Sequence, residues 1–298
     1  MIDGQILQLG GKIMKKNVCI VMAAMMAWMI AGCAQTESNN VNAGSETSQE
    51  AIDDVPEGPS KTVNIAINEN IVQLDPHNQS NLPGYMMWTM CMEPLILEDR
   101  KGNYYPLLCE SWEHDDEGLE WTFKLRQGIK FHNGEDFNAD DVAATFDRIL
   151  SRRNELQNAI EYWTLLDTCE KIDGYTVKFT YTQPDSTALL SFSNTAIIPN
   201  EAYAEYGDEL WNQQMMYGTG PWIFQEWSDG QFTHYIKNPD YWDKENFDSY
   251  YDEVYLRHIT ELSTAVAGHI SGDLQANLKT GGIDEDLLGL YAGTEDRI

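Results

Sequence analysis

An uncharged, strongly apolar run near the amino terminus limits how much of this 298-residue chain can belong to a folded domain. Lys15 and Lys16 precede the run, and apolar residues continue from Val18 to Ile30. A basic start, a short apolar centre and small residues before a cleavage point are typical of a secretory signal peptide. We therefore predict that residues 1–33 are a targeting segment and that the folded domain lies downstream.

The end of this run favours a signal peptide over a transmembrane helix. The uncharged stretch 18–34 has 17 residues, which is the lower limit for a helix that crosses a hydrocarbon core of about 30 Å. The tetrapeptide Ile30-Ala31-Gly32-Cys33 resembles the bacterial lipobox, whose cysteine is lipidated and becomes the new amino terminus. We expect lipidated Cys33 to anchor an extracytoplasmic protein to the outer face of the cell membrane, or to hold it in the periplasm.

The composition changes abruptly after Cys33. Residues 34–60 contain six acidic residues and no Lys or Arg, together with many Ser, Thr, Asn and Gln. Such a segment cannot bury enough apolar surface to offset the loss of chain entropy on folding. It is predicted to be a disordered acidic tether.

The charge of the whole chain excludes one class of partner. There are 48 acidic and 19 basic residues, which gives a net charge of −29. Nucleic-acid binding needs clustered Lys and Arg to neutralise phosphates, so no nucleic-acid partner is expected. The hydrophobic content of 42% is nevertheless sufficient for the core of one or two domains.

Three cysteines remain once Cys19 and Cys33 are assigned to the leader and to lipidation. They are Cys91, Cys109 and Cys169. An odd number allows at most one disulfide and is not typical of a disulfide-stabilised scaffold. Cys109 ends a short apolar run and is predicted to be free and buried.

The remainder of the chain alternates strand-like and helix-like patterns, which is typical of an α/β fold. Period-two patterns predict strands at residues 62–67, 119–125, 175–181, 222–227, 232–236 and 254–259. Helices are predicted at residues 84–92, 187–192 and 262–270, and a further helix begins after Asn138 as its N-cap. Asp229-Gly230 is expected to be the turn of a hairpin.

Motifs of catalysis are lacking in this sequence. It contains no nucleophile elbow, zinc-protease motif, Walker A loop or dinucleotide-binding glycine motif. The acid pair Asp140-Asp141 fits the start of a helix better than acid–base chemistry. His132 lies beside a turn, and no further metal ligands cluster near it. We therefore expect no enzyme activity, no metal site and no cofactor.

A group of methionines on the first predicted helix allows two interpretations. Thioethers can bind soft metals, but they also pack cores or form an adaptable apolar wall beside a ligand. The packing or wall interpretation is favoured. The residues are Met86, Met87, Met90 and Met92.

Several blocks, in the same order along the chain, resemble the signature of the family 5 extracellular solute-binding proteins. These proteins are the dipeptide, oligopeptide and nickel receptors of ABC importers. The blocks are Leu74–His77, Leu108–Glu113, Glu120–Glu135, Asn138–Val142, Gly218–Trp222, Asn238–Trp242, Ser263–Ala265 and Ser271–Asp273. Together they span nearly all of residues 61–273.

The resemblance implies a periplasmic-binding-protein-like (type II) α/β fold with two lobes. Residues 61–94 and 188–270 would form lobe I, and residues 95–187 a subdomain inserted into it. Because family members are considerably longer, we expect only this lobe and its subdomain to be present. Residues 271–298 would then be the start of a missing second lobe.

The resemblance also places two loops beside the cleft between the lobes. One follows the Leu74–His77 block, and the other is the Gly218–Trp222 block. The residues implied in ligand binding are Ser80, Asn81, Leu82, Gly218, Thr219, Gly220 and Trp222. Trp222 replaces the usual tyrosine of the family, and the alternative is that these loops are merely tight turns.

The function implied is that of a monomeric, lipid-anchored binding protein. It would capture a peptide or a related small solute and deliver it to the permease subunits of an ABC importer. A peptide is preferred over a nickel chelate, although this part of the chain does not discriminate between them. The alternatives are a surface interaction protein on the same fold, a truncated remnant that transports nothing and, less favoured, a secreted hydrolase that uses acid pairs.

Overall fold

The structure, a computed structural model, describes residues 61–79, 81–247 and 249–278. The predicted signal peptide and tether lie outside these ranges, as do Cys33 and Ser80. None of the helices in the described ranges combines the length and the apolar character needed to cross a membrane.

The described residues form strands and helices in alternation. The strands are β1 (Thr62–Ile67), β2 (Ile96–Glu98), β3 (Tyr104–Pro106), β4 (Cys109–His114), β5 (Glu120–Leu125), β6 (Leu166–Asp173), β7 (Thr176–Tyr181), β8 (Trp222–Ser228), β9 (Phe232–Lys237), β10 (Glu253–His258) and β11 (Ala276–Leu278). The helices are α1 (Leu82–Cys91), α2 (Ala139–Ser151), α3 (Gln157–Tyr162), α4 (Ala188–Ser193), α5 (Asn200–Tyr206), α6 (Glu209–Asn212) and α7 (Leu262–Ser271).

A five-stranded mixed sheet has the order β11-β1-β10-β9-β8. Strand β1 is parallel to β10 and β11, whereas β9 is antiparallel to both β10 and β8. Val63, Ile65 and Ile67 of β1 are buried on one face, as the alternating pattern predicted. The hairpin of β8 and β9 is also confirmed, and Gly230 in its turn has a positive φ of 66°.

Strand β11 was not predicted from the sequence. Ala276–Leu278 pairs with β1 in this same sheet. The start of the second lobe at residue 271 stays a prediction. A three-residue strand carries too little alternation to be recognised from sequence.

A four-stranded antiparallel sheet has the order β4-β5-β7-β6. On β5 the predicted alternation is confirmed, because Trp121, Phe123 and Leu125 are buried. Phe123 and Phe179 lie 4.6 and 4.7 Å from Phe192, measured between ring centroids. This aromatic cluster is the centre of the packing between the sheet and the helices that cover it. Cys109 is free and buried, as predicted.

Helix α2 begins with a complete capping box. The Asn138 side chain accepts a hydrogen bond from the Asp140 amide at 2.7 Å, and the Asp141 carboxylate accepts one from the Asn138 amide at 2.7 Å. Asp141 also accepts a hydrogen bond from the Asn200 amide at 2.8 Å, and burial raises its pKa to about 6. The predicted N-cap is therefore confirmed, and the acid pair has a structural role at the helix start.

The described residues form two large hydrophobic cores and a small third cluster of Ala66, Ala265 and Leu274. The first core contains residues from 63–92 and 196–276 and packs between the five-stranded sheet and α1. The second core contains residues from 95–192 together with Ile197 and packs on the four-stranded sheet. The chain passes from the first core to the second between Met92 and Leu95.

Arg148 of α2 connects the loop after β1 to the second core. Its buried guanidinium donates hydrogen bonds to Asp75 at 2.7 Å, to Asp208 at 2.9 Å and to Nδ1 of His77 at 2.8 Å. Because His77 Nδ1 accepts, its Nε2 carries the proton that is donated to the carbonyl of Ala196 at 2.8 Å. Burial, helped by the charge of Arg148, lowers the pKa of His77 to about 4 and keeps the ring neutral.

Replacing Arg148 by methionine tests whether this junction stabilises the fold. Arg148→Met leaves the Asp75 carboxylate buried without its partner, which should lower the free energy of unfolding by about 3–5 kcal/mol. Arg152→Met is the matched control, because Arg152 also contacts Asp208 but its side chain is 31% exposed. The control should cost below about 1 kcal/mol. Urea denaturation measures both values, and equal losses would contradict the role of Arg148.

Candidate functional site

The predicted ligand-binding residues lie at the two ends of α1. Asn81 is the N-cap of this helix and Leu82 is its first residue. Gly218 and Gly220 contact Cys91, the last residue of the helix. A ten-residue helix is about 15 Å long, so the two predicted loops lie at opposite ends of α1.

The amino end of α1 lies at the carboxyl end of β1. The Asn81 side chain accepts a hydrogen bond from the Gly84 amide at 3.1 Å and donates one to the Asn70 carbonyl at 3.3 Å. Asn70 in turn donates to Asp229 of the β8–β9 turn at 2.8 Å. We call Asn70, Val72, Asn81, Leu82 and Asp229 the carboxyl edge.

Two large apolar side chains are exposed at the carboxyl edge. Val72 is 65% exposed and Leu82 is 49% exposed. In open α/β sheets, ligands bind outside the carboxyl ends of the parallel strands. Exposed apolar groups beside a hydrogen-bonded network of Asn side chains therefore make this edge the candidate binding surface.

An apolar stripe along α1 continues from the carboxyl edge. Leu82, Tyr85, Met86 and Thr89 are its exposed or half-buried residues, and their spacing places them on one face of the helix. Tyr85 is fixed by a hydrogen bond from its hydroxyl to Asn194 at 2.6 Å. The remaining methionines of the predicted group are buried in the first core: Met87, Met90 and Met92.

The glycines at the other end of α1 allow close packing of two backbones. A Cβ atom on Gly218 would lie 1.9 Å from the carbonyl oxygen of Cys91, and one on Gly220 would lie 2.9 Å from it. The Gly220 amide donates a hydrogen bond to this same oxygen at 3.0 Å. Thr219 and Trp222 are buried. In this structure the loop packs against the carboxyl end of α1, and its place beside a ligand stays a prediction.

His132 forms hydrogen bonds to this loop through both of its ring nitrogens. Nε2 donates a hydrogen bond to the Gly220 carbonyl at 2.9 Å, and Nδ1 accepts one from the Gly218 amide at 3.4 Å. The His132 amide also donates to the Gly218 carbonyl at 2.8 Å. Burial lowers the pKa of His132, which keeps the ring in the neutral form that these bonds require.

Glu93 is a structural centre that the sequence analysis missed. Its buried carboxylate accepts hydrogen bonds from Thr219 at 2.8 Å, Tyr241 at 2.7 Å and Trp242 at 2.9 Å. Among the residues that the structure describes, no Lys or Arg nitrogen lies within 4.0 Å of it. Burial raises the pKa of Glu93 to about 7. Glu93 is the one acidic residue in the apolar stretch 90–97, and this isolated position in the sequence could have indicated a buried carboxyl.

The buried carboxyl of Glu93 should make stability depend on pH. Its pKa in the folded protein, about 7, exceeds the ordinary value of 4.5, so the folded state binds the proton more tightly. The stabilisation is complete below pH 4.5 and is lost as the pH rises through 7. Each unit of difference between the folded and unfolded pKa corresponds to about 1.4 kcal/mol in the free energy of unfolding. In Glu93→Gln, the fall in the free energy of unfolding between pH 5 and pH 8 should be smaller. Denaturation at both pH values measures it.

The control for this experiment is Glu110→Gln, because Glu110 is exposed on β4. This variant should keep the full pH dependence of the wild type. A pH dependence that is unchanged in Glu93→Gln would contradict the assignment.

The close approach of Gly218 to Cys91 predicts a steric effect of substitution. Gly218→Ala should lower the free energy of unfolding by about 1–3 kcal/mol or more, because the backbone must move. Gly174→Ala is the control, since nothing lies within 4 Å of the position of its added Cβ. The control should change stability by less than about 0.5 kcal/mol. Thermal or urea unfolding compares the two, and a harmless Gly218→Ala would contradict the packing described here.

Comparison with known proteins agrees with this architecture. The family model "Bacterial extracellular solute-binding proteins, family 5 Middle" matches residues 103–288. The glutathione-binding protein GsiB of Escherichia coli K12 is 34% identical over 185 residues, which are 61% of this chain and 36% of that protein. GsiB of Salmonella typhi is 30% identical over 218 residues, or 72% of this chain and 42% of that protein. The chain thus spans less than half the length of these curated relatives.

A solved structure shows the same fold. The dipeptide binding protein from Pseudoalteromonas sp. SM9913, in complex with Met-Leu, superposes with a TM-score of 0.69 at 19% identity. The match covers 79% of this chain and 50% of that protein. The described residues therefore form part of a periplasmic-binding-protein-like α/β fold, as predicted. The relatives are solute-binding proteins rather than enzymes, and this chain belongs to family 5 of the bacterial extracellular solute-binding proteins.

Proposed function

We propose that this protein is the substrate-binding component of an ABC importer and captures a peptide or a related small solute outside the cytoplasm. The observation that carries the proposal is the carboxyl edge, where Leu82 and Val72 are exposed beside the ordered side chains of Asn70 and Asn81. The relatives support the ligand class, since they are a glutathione-binding protein and a dipeptide binding protein. For the same reason a peptide is preferred over a nickel chelate.

The chemistry of the carboxyl edge suits a peptide. The apolar stripe of α1 offers Leu82 and Met86 to apolar side chains of a ligand, and Met adapts its shape to different partners. Asn81 is held by two hydrogen bonds, so its geometry is set before a ligand arrives. A second lobe that closes over this edge would exclude water from the ligand.

We divide the predicted site residues into two groups. Ser80, Asn81 and Leu82 are assigned to contact with the ligand. Gly218, Thr219, Gly220 and Trp222 are assigned a supporting role, because their contacts with Cys91, Glu93 and the first core hold the far end of α1. A movement of this loop would therefore shift α1 and with it the residues assigned to contact with the ligand.

The organisation of the whole protein is part of the proposal. Residues 61–94 and 188–270 would form lobe I and residues 95–187 the inserted subdomain. The two cores support this division except at four residues: Ala188, Phe192 and Ile197 pack in the second core, and Ala276 packs in the first. Lipidated Cys33 would anchor the monomer at the outer face of the membrane, and the permease subunits would receive the solute there.

Calorimetric titration with glutathione and with Met-Leu tests the proposed function. At least one of them should show saturable binding without consumption of the ligand. Leu82→Asp should weaken this binding at least tenfold, since it places a charge in an apolar contact, which corresponds to about 1.4 kcal/mol. Ile172→Asp is the control, because Ile172 is 56% exposed but lies on β6.

Two results would contradict the proposed function. One is the lack of saturable binding of both ligands up to millimolar concentration. The other is steady hydrolysis of Met-Leu, which would indicate an enzyme. Equal binding by Leu82→Asp and the wild type would place the ligand away from the carboxyl edge.

A further inference from the structure

A pocket of about 400 Å³ lies on the face of the five-stranded sheet that is turned away from α1. Helix α7 covers the centre of this face, where Ala265 packs on Ala66 of β1. Beside the helix, Asn64 of β1, Arg257 of β10 and Thr264 of α7 line the pocket, and Asp273 and Leu274 are among its other lining residues. The proposed function uses none of these residues.

Arg257 is held rigidly at the wall of this pocket. Its Nε donates a hydrogen bond to the Asn64 side chain at 2.9 Å. Its guanidinium carbon lies 4.3 Å from the centroid of the Tyr255 ring and 5.1 Å from that of Phe232. These contacts fix the plane of the guanidinium.

The terminal nitrogens of Arg257 have no acidic partner among the described residues. No carboxylate in residues 61–79, 81–247 or 249–278 lies within 4.0 Å of them. By contrast, Arg148 binds two carboxylates. With 48 acidic residues against 19 basic ones, a half-buried arginine without a carboxylate is unexpected in this chain.

We propose that the Arg257 pocket is a binding site for a carboxylate group. A guanidinium presents two parallel N–H donors that match the two oxygens of a carboxylate. Its plane is already fixed, so little conformational entropy is lost when these bonds form. The hydroxyl of Thr264, at the start of α7, adds a polar group for the neutral part of the ligand.

Asp273 restricts the class of carboxylate. Its side chain accepts a hydrogen bond from Ser271 at 2.7 Å and lines the same pocket. A second negative charge on the ligand would be repelled by it. The pocket is therefore assigned to one carboxylate group, with no second acidic group inside the pocket.

Two sources could supply this carboxylate. One is a free small molecule. The other is an acidic side chain of a polypeptide, and Asp284, Glu285 and Asp286 follow within eight residues of the end of β11, a reach of at most about 28 Å. These three residues lie outside the described ranges. The same chemistry applies to both sources, and the experiment separates them.

The first arm of the test uses N-acetylglycine as probe and the neutral N-acetylglycinamide as its matched control. The full chain is titrated with each, and the nitrogen-15 signals of the arginine Nε groups are followed by NMR. N-acetylglycine should bind at least tenfold more tightly than the amide. Arg257→Gln should abolish this preference, Arg257→Lys should reduce it because the planar fork is lost, and Arg100→Gln, at an exposed arginine, should leave it unchanged.

The second arm uses the full chain with Asp284→Asn, Glu285→Gln and Asp286→Asn combined. If the wild type prefers N-acetylglycine over the amide, the pocket is open to a free carboxylate. If only this variant shows the preference, the chain's own acids fill the pocket in the wild type. Both results support the proposal. No preference for N-acetylglycine in either protein, or a preference that survives in Arg257→Gln, would overturn it. Neither outcome bears on the proposed solute capture, because the carboxyl edge does not include this pocket.

Discussion

The three hydrogen bonds to the buried carboxyl of Glu93 hold together segments of this structure that lie more than a hundred residues apart in the sequence. Glu93 lies between Met92 of the first core and Leu95 of the second. Its donors come from the loop before β8 and from the segment that follows β9. A buried carboxyl that loses its donors is costly, so the three segments are tied to one geometry. The raised pKa of Glu93 shows that burial outweighs these bonds for the charged form.

Arg148 makes a second junction of a different kind. It carries a formal charge that is compensated by Asp75 and Asp208, whereas Glu93 depends on neutral donors alone. The two junctions therefore respond to pH in opposite directions. Protonation favours the folded state at Glu93, while His77, with its pKa lowered to about 4, disfavours folding as the pH falls from 6.5 to 4.

These junctions position the surface that we propose for solute capture. The loop that Arg148 fastens leads from β1 into α1, and Glu93 and the glycine loop fix the other end of that helix. Asn81 and Leu82 are thus presented by a helix that is held at both ends. Three of the sequence blocks that resemble the family contribute residues to these junctions: Leu74–His77, Gly218–Trp222 and Asn238–Trp242.

Local patterns predicted the elements of this fold but not the relations between distant segments. Strands β5, β7 and β9 bury alternate side chains, and Asn138 caps α2 through neighbouring residues, so both could be predicted. Strand β6 is mostly exposed and shows no clear alternation, and it was missed. The contact of Gly218 with Cys91 joins residues far apart in sequence, so it could not be predicted from local patterns. Glu93 was missed for the same reason, because its donors lie more than a hundred residues away.

Glu93 and Arg148 join the two cores into one cooperative unit. Differential scanning calorimetry of the full chain at neutral pH tests this claim most directly. The account predicts a single transition whose calorimetric and van't Hoff enthalpies agree. Two separate transitions, with one core melting before the other, would contradict it.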